Sequence, residues 1–430
     1  MHDKQRIMTS LRLYIAIICG ILISSVTYAQ NLVVESYRTP LMPCPTAADA
    51  HAKISPNRYV QIVEEWQDEE GKLHGEFTFP FSWLERQVFV RIEGCAAPYS
   101  VYVNGKLAGD STNGHVAKEI NITKLCREDK NSVELRLMNN DGVKDIEYFT
   151  CGASQPIAYI ISQPRVRIRD VAWRTNIGMG GVVNIDFSAV MKNETLGAKT
   201  SRIYYELFLN DTLRLSGGHR DVELGMYGVD TMRFGAPVPD SILWSIESPS
   251  QISLRLKNRI AGRDVEFYDL DVALRQLEYK DGKFYVNNRV ENISWHTMSP
   301  LATTKELAEA YSSGIRAIRF TAGYVRDELL EWCDANGVYV ALTAPINSSL
   351  AGKSRKRGGN PSNNPRWRGE YIERVTAMIH TTKRHASVIA YYLADESSNG
   401  ICLYESYLAA KAISDRPIFY EDGTREWNCD

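Results

Sequence analysis

Two adjacent carboxylates, Asp395 and Glu396, are the side chains of this chain that are best placed for catalysis. They follow the apolar run 388–394, and a short, nearly continuous apolar run is typical of a strand buried on both faces. A carboxylate at the end of such a strand can act as an acid, a base or a nucleophile. It can equally be a helix N-cap or half of an ion pair, and spacing alone favours that structural role.

The elements around the two carboxylates predict a parallel α/β sheet. Helical spacing of apolar residues occurs at 371–380 before the strand and at 403–413 after it. In barrels built from such units the chemistry lies at the carboxyl ends of the strands, where Glu396 falls. The same pattern extends in both directions, with strands predicted at 293–297, 317–321, 338–344 and 417–421 and helices at 304–312 and 327–336.

The part of the chain before residue 277 is predicted to be all β. Residues 77–79, 88–92, 99–103, 133–137, 183–187 and 203–208 alternate or run apolar. Asn104-Gly105 is a strong signal for a two-residue hairpin. The fold class is therefore multidomain, β first and then α/β.

Composition and the N-terminus restrict the partners and the compartment. The 430 residues are 44% hydrophobic with a net charge of −2, which argues against nucleic acid or an anionic membrane as the main partner. Lys4, Arg6 and Arg12 precede an apolar run at 13–23, and small residues lead to Ala29. This pattern predicts a signal peptide at 1–29 and a periplasmic or secreted protein. The run is too short to span a bilayer.

Neither a metal nor a cofactor is predicted. Seven cysteines follow the predicted signal peptide, and none forms a CxxC pair of the kind that binds zinc. The glycine-rich stretch 178–183 lacks the last glycine of a nucleotide loop and opens a strand. Export permits disulfides, so Cys95 with Cys126, or Cys44 with Cys151, are open alternatives.

Three stretches resemble glycoside hydrolase family 2, the family of β-galactosidases, β-glucuronidases and β-mannosidases. HASVIAYYLADESSNG (385–400) resembles the acid/base segment that ends strand four of the family's barrel. VYVNGKLAGDSTNGHVAKEINITKL (101–125) is similar to its N-terminal jelly roll, and ILWSIESPSQISLRL (242–256) to its immunoglobulin-like sandwich. The resemblance implies a jelly roll at 31–163, an immunoglobulin-like sandwich at 164–276 and the first five strands of a (β/α)8 barrel at 277–430.

The resemblance implies a retaining mechanism with two carboxylates. Glu396 matches the acid/base, whereas the family's nucleophile ends strand seven and has no counterpart among these residues. Retaining enzymes hold the two carboxylates about 5–5.5 Å apart. The resemblance also implies substrate contacts by Asp395, Arg319, His296, Tyr324 and Glu421, the last with an ion pair as the alternative role.

Several family positions are changed. Asp395 replaces an Asn that donates a hydrogen bond to the sugar 2-hydroxyl, and an ionised Asp only accepts. Thr297-Met298 and Leu342-Thr343 stand where the family has acidic and His side chains.

The expected function is an exported glycosidase of β-galactosidase type, acting on carbohydrate β-glycosides, incomplete and inactive as this chain. The alternative is a non-catalytic, carbohydrate-binding or structural relative. Exposed strand edges predict oligomers.

Overall fold

The computed structural model describes residues 37–95, 97–149, 156–354, 356–420 and 429–430. The predicted signal peptide, Cys151 and Glu421 lie outside these residues. The order of elements is two groups of antiparallel sheets followed by a parallel sheet with helices.

The first group contains two antiparallel sheets. Their strand orders are β1-β9-β4-β7 and β2-β3-β8-β5-β6. Asn104 and Gly105 join β5 to β6 with φ angles of 50° and 75°, which confirms the predicted hairpin. The strands are β1 Val60–Val63, β2 Gln67–Glu69, β3 Lys72–Phe79, β4 Arg86–Glu93, β5 Tyr99–Val103, β6 Lys106–Ser111, β7 Lys118–Asn121, β8 Asp129–Leu137 and β9 Ile157–Pro164.

The second group has its own core between a three-stranded and a four-stranded antiparallel sheet, in the orders β10-β11-β14 and β13-β12-β15-β16. Inward residues alternate with outward ones, so that every second residue of β11 is buried. The short helix α1, Ala47–His51, contacts β16. The strands are β10 Val166–Ile177, β11 Val183–Asn193, β12 Lys199–Leu209, β13 Leu213–Leu224, β14 Val229–Val238, β15 Ile252–Ile260 and β16 Arg263–Val272.

A three-stranded antiparallel sheet leads into a five-stranded parallel sheet whose strands lie in chain order, β20-β21-β22-β23-β24. This is the expected succession of the first five barrel strands. The small sheet consists of β17 Leu277–Lys280, β18 Lys283–Val286 and β19 Arg289–Glu291. The parallel part consists of β20 His296–Met298, α2 Thr304–Ser312, β21 Ala317–Phe320, α3 Asp327–Asn336, β22 Tyr339–Thr343, α4 Arg368–Thr382, β23 Val388–Tyr392, α5 Ile401–Ile413 and β24 Ile418–Phe419.

Local signals explain why α2 and α3 have the bounds that their sequences predict. The hydroxyl of Thr303 accepts a hydrogen bond from the backbone N–H of Glu306. The carboxylate of Glu306 in turn accepts one from the backbone N–H of Thr303, and the two bonds form a capping box. Gly337 ends α3 with a φ of 67°, a conformation that costs glycine little. The predicted outer strands were less accurate, because β20 begins three residues late and β24 has two residues rather than five.

The structure also bears on the cysteines and on membrane insertion. Cys95 and Cys126 are free thiols, so the alternative that paired them is wrong for this structure, and Cys44 is free as well. Within the described ranges, no helix is both long and apolar enough to cross a membrane.

Candidate active site

Glu396 lies at the carboxyl edge of the parallel sheet, four residues beyond the end of β23. Its neighbours Ala394, Asp395 and Ser397 are buried, whereas its own side chain is exposed. Glu396 is thus exposed to solvent just after a buried strand. This is the edge of the sheet at which barrels of this type have their catalytic residues. The position predicted for Glu396 from the sequence agrees with this structure.

Asp395 points away from solvent and binds Arg319. The Arg319 guanidinium donates to Asp395 Oδ1 at 2.6 Å, and the backbone N–H of Ala322 donates to Oδ2 at 2.6 Å. Both side chains are about nine-tenths buried. Arg319 also lies over the ring of Tyr392 at 4.2 Å. Arg319 of β21 and Asp395, which follows β23, are therefore brought together and bind each other. Both were predicted to contact the substrate.

The loop after β22 holds the Glu396 segment in place. Asp395 N–H donates to Ile346 O at 2.9 Å. The Ser348 N–H donates to the Glu396 carbonyl at 3.2 Å and to Ser397 Oγ at 3.1 Å. Backbone bonds on both sides of Glu396 hold the segment from which its side chain projects into solvent.

The first group of sheets supports that same loop, a contact that sequence reasoning missed. The Asn347 N–H donates to Ile146 O at 2.8 Å, and the Tyr148 N–H donates to Asn347 O at 2.9 Å. The Glu147 carboxylate lies 2.6 Å from the guanidinium of Arg374, and both side chains are fully buried. Burial opposes ionisation of Glu147, but His115 and Arg374 outweigh it and lower the pKa of its carboxyl.

A second buried network fixes the amino end of β23. His385 Nδ1 lies 2.6 Å from Asp334, and Nε2 lies 2.9 Å from Asp327. The Ser387 N–H donates to Asp334 at 2.8 Å. Burial and Arg384 lower the pKa of His385, but the two carboxylates outweigh them and the net pKa is raised. His385 and Ser387, which form part of the resemblance, thus position the strand and lie at the end opposite to Glu396.

The other predicted contacts are not joined to the two carboxylates. His296 is exposed in β20 and pairs with Ile318, and within the described ranges no hydrogen bond links it to Asp395 or Glu396. Tyr324 lines a small cavity with Arg91 of β4, and burial raises the pKa of its hydroxyl. Glu421 lies outside the described residues. The roles of these three residues in sugar binding stay predictions.

These features define a class of protein. The described residues form a mostly β-sheet protein with a partial TIM-type α/β barrel, and an exposed carboxylate stands at the carboxyl edge of the barrel strands. Such an arrangement is common to many enzymes, so the class alone does not define the reaction.

Comparisons with known proteins identify the resemblance. Residues 300–429 match the family profile described as "Glycosyl hydrolases family 2, TIM barrel domain". A β-galactosidase of Priestia megaterium is 22% identical over 372 residues, which cover 80% of this chain and 36% of that protein. A β-galactosidase of Clostridium acetobutylicum is 23% identical over 79% of this chain and 39% of its own length.

Solved structures share the fold. A β-glucuronidase of Bacteroides uniformis has a TM-score of 0.69 at 16% identity, covering 81% of this chain and 46% of that one. A family 2 β-galacturonidase of Eisenbergiella tayi has a TM-score of 0.67 at 16% identity, covering 90% of this chain and 68% of that one. The comparisons confirm the resemblance to glycoside hydrolase family 2, a family of glycosidases. The chain spans under two fifths of the length of the two curated β-galactosidases.

Proposed function

We propose that this chain is the amino-terminal and half-barrel portion of an exported glycoside hydrolase of β-galactosidase type, with Glu396 as its acid/base. The observation that carries the proposal is the exposed Glu396 at the carboxyl edge of β23, within the segment that matches the family barrel. The β-galactosidase relatives favour a β-galactoside as the substrate.

In this role Glu396 protonates the departing glycosidic oxygen and then removes a proton from the attacking water. The reaction also needs a carboxylate nucleophile. Asp395 cannot supply it, because both of its oxygens are bonded inward, to Arg319 and to the backbone of Ala322. Since the family nucleophile ends strand seven and β24 is the fifth strand, we propose that this chain alone does not complete turnover.

An affinity label tests the role of Glu396 without requiring turnover. N-bromoacetyl β-galactosylamine carries a reactive carbon at the position of the leaving group, and an attacking carboxylate oxygen displaces its bromide to form an ester. We expect mass spectrometry of the labelled chain to find the ester on Glu396. Free galactose should protect against it, and Glu396→Gln should abolish it.

Glu309→Gln is the matched control, because Glu309 is an exposed carboxylate on α2. That variant should be labelled like the parent chain. Random labelling of exposed carboxylates, unaffected by galactose, would contradict a sugar site at Glu396.

Hydrolysis tests the second half of the proposal. We expect no turnover of aryl β-galactoside, β-glucuronide or β-mannoside by the chain or by Glu396→Gln. General acid catalysis alone contributes about 10²–10⁴-fold, which is far below what glycoside cleavage requires. Turnover that disappears in Glu396→Gln would reveal a nucleophile within this chain.

A second candidate function is a non-catalytic carbohydrate-binding or structural relative of the family. The observation that favours it is Asp395, which stands at the position of a sugar-binding Asn and is held by Arg319. This candidate predicts that galactose binds with the same affinity to the parent chain and to Glu396→Gln in calorimetry, and that no ester forms.

The finer organisation belongs to the same proposal. We propose that the first two sheets form a jelly roll at 31–163 and that the next two form an immunoglobulin-like sandwich at 164–276. The half barrel then occupies 277–430. Residues 1–29 direct export to the periplasm or the medium. Processing would be seen as a mature N-terminus close to residue 30 after expression in a secreting host.

A further inference from the structure

A groove of about 980 Å³ lies between the second group of sheets and the base of the half barrel. Strands β10, β11 and β14 form one wall, and the loops that precede β23 and β24 form the other. These loops lie at the amino ends of the barrel strands, so the groove is at the opposite end of β23 from Glu396. We call it the basic groove, because its lining includes Arg174, Arg220, Arg233, Arg275, Lys383, Arg384 and Arg416.

Two guanidinium groups in the basic groove share one acceptor. Arg275 donates to Val388 O at 2.7 Å, and Arg416 donates to the same oxygen at 2.7 Å. Their other side-chain bonds go to backbone carbonyls and to the hydroxyl of Tyr391, and neither has a carboxylate within ion-pair distance in the described residues. Two like charges are therefore held together in a half-buried place. The carboxylates of Asp415 and Asp334 offset part of this charge from beyond ion-pair distance.

The proximity of the two guanidinium groups affects the pKa of Arg275. Burial and the adjacent charge of Arg416 lower the pKa of Arg275 to about 9. Backbone carbonyls satisfy hydrogen bonds but carry no net charge, so they do not offset the repulsion between the two cations. An anion within reach of both guanidinium groups would offset it, and guanidinium N–H groups form strong charge-assisted hydrogen bonds to oxoanions. Nη1 of Arg275 is available for such a bond, because the bonds of this side chain to Ala386 and Val388 use Nε and Nη2.

The other charged residues that line the groove also favour an anionic ligand. Lys383, Arg384 and Arg174 each have a carboxylate partner, which leaves four cations without one in the described residues: Arg220, Arg233, Arg275 and Arg416. Arg220 and Arg233 are exposed at the rim. Against these four stand only two lining carboxylates without a cation, Asp186 and Glu278, so the groove carries an excess of positive charge.

We propose that the basic groove binds an oxoanion group, a carboxylate or sulfate, between Arg275 and Arg416, with Arg220 and Arg233 available to further acidic groups of the same ligand. The source is either a free oxoanion or an acidic oligosaccharide. This site is separate from Glu396, so it stands whether or not the proposed hydrolase function does.

Thermal unfolding of the full chain can distinguish a free oxoanion from an acidic oligosaccharide as the ligand. At low millimolar concentration, sodium sulfate should raise the melting temperature more than sodium chloride at equal ionic strength, because a bound ligand stabilises the folded state. The extra rise should disappear in Arg416→Gln, whereas the general stabilisation by sulfate excluded from the protein surface would remain in that variant. Oligogalacturonate of about six residues, compared with a neutral oligosaccharide of equal length, tests the polymeric source. Tighter binding of oligogalacturonate than of sulfate would identify the oligosaccharide as the ligand, and equal affinity would identify a free oxoanion.

Variants assign the binding to residues. Arg416→Gln should weaken both ligands about tenfold or more, the value of a charge-assisted hydrogen bond. Arg220→Gln with Arg233→Gln should weaken oligogalacturonate alone. Because Arg416 also bonds several carbonyls, its variant can lose stability, so the parent chain crystallised with selenate provides an independent measurement. Anomalous density between Arg275 and Arg416 is expected. No preference for sulfate over chloride, or selenate bound only elsewhere, would overturn the proposal.

Discussion

The Asp395 carboxylate occupies a position where the resembling family has an amide, and its partner explains how the change is tolerated. The buried Arg319 neutralises it at 2.6 Å. Substituting one residue of a buried ion pair removes the counter-charge that faces the other, which costs more than replacing both by apolar side chains. In this chain, Asn at 395 should therefore be less favourable than Asp beside Arg319.

Asp395→Asn is expected to lower the free energy of unfolding by about 3 kcal/mol. Urea unfolding of the parent, Asp395→Asn, Arg319→Met and the double variant completes a thermodynamic cycle. The double variant should be more stable than the sum of the two single losses implies. Additive losses would show that the two side chains do not stabilise each other.

His385 gives stability a pH dependence at the other end of β23. The pKa of His385 is raised by Asp334 and Asp327 against the effect of burial. Its contribution is complete below the unfolded pKa of about 6.5 and is lost as the pH rises through the higher folded value. Asp327 behaves oppositely, because its pKa is lowered and its contribution is lost only in acid.

We expect the free energy of unfolding to fall as the pH rises above about 6.5. Denaturant titrations from pH 5.5 to 9 measure the slope, and His385→Asn should flatten it. The exposed His219→Asn, on β13, is the control and should keep the parent slope. An unchanged slope in His385→Asn would assign the pH dependence to another group.

At the scale of elements, two glycines end neighbouring helices under different constraints. Gly314 follows α2 with a φ of 91° and has open space where a Cβ would lie. Gly337 follows α3 with a φ of 67°, and a Cβ there would lie 2.4 Å from the carbonyl oxygen of Ile246. Position 314 therefore favours glycine only because of its positive φ. Position 337 favours glycine for the same reason and also because the backbone of Ile246 leaves no room for a Cβ.

Gly314→Ala should cost about 1–2 kcal/mol, the price of a left-handed residue with a side chain. Gly337→Ala should cost about 3–5 kcal/mol, since it adds a backbone collision. Thermal unfolding of the two variants compares them directly. Equal losses would indicate that the chain near Ile246 moves aside freely.

At the scale of the whole molecule, the first group of sheets is coupled to the candidate active site through one loop. Glu147 and Arg374 form a fully buried ion pair, and backbone bonds from Ile146 and Tyr148 continue to Asn347. The next residue, Ser348, holds the Glu396 backbone. A disturbance at Glu147 should therefore reach the Glu396 segment.

Glu147→Gln should lower the melting temperature and speed amide exchange in segments 143–148 and 346–348, because Arg374 loses its buried counter-charge. Asp141→Asn is the control, since its ion pair with Lys144 is exposed. Hydrogen exchange read by mass spectrometry distinguishes the two variants. If exchange at 346–348 stays at the parent rate, the loop does not depend on this ion pair.

The parallel sheet has two edge strands in the described part of the chain, β20 and β24. Edge strands offer unpaired backbone groups to other chains. We expect the isolated chain to associate, with a sedimentation coefficient that rises between micromolar and tens of micromolar concentration. A Lys substitution at Thr297, which is exposed on β20, should reduce the association. A monomer throughout that range would refute the expectation.

The sequence by itself determined the features that depend on neighbours in the chain. The capping box of Thr303 and Glu306, the Gly337 stop and the Asn104-Gly105 hairpin each involve residues within a few positions. The order of the barrel strands and the place of Glu396 also follow from periodicity and chain order, because consecutive parallel units pack side by side.

Tertiary structure decided what distant residues do to one another. Asp395 meets Arg319 across 76 positions, and Arg374 meets Glu147 across more than 200. The bounds of β20 were set by its pairing with β21 rather than by its own apolar pattern. Charged groups and strand edges take whichever partner the packing brings near, and a single sequence carries no local signal for that choice.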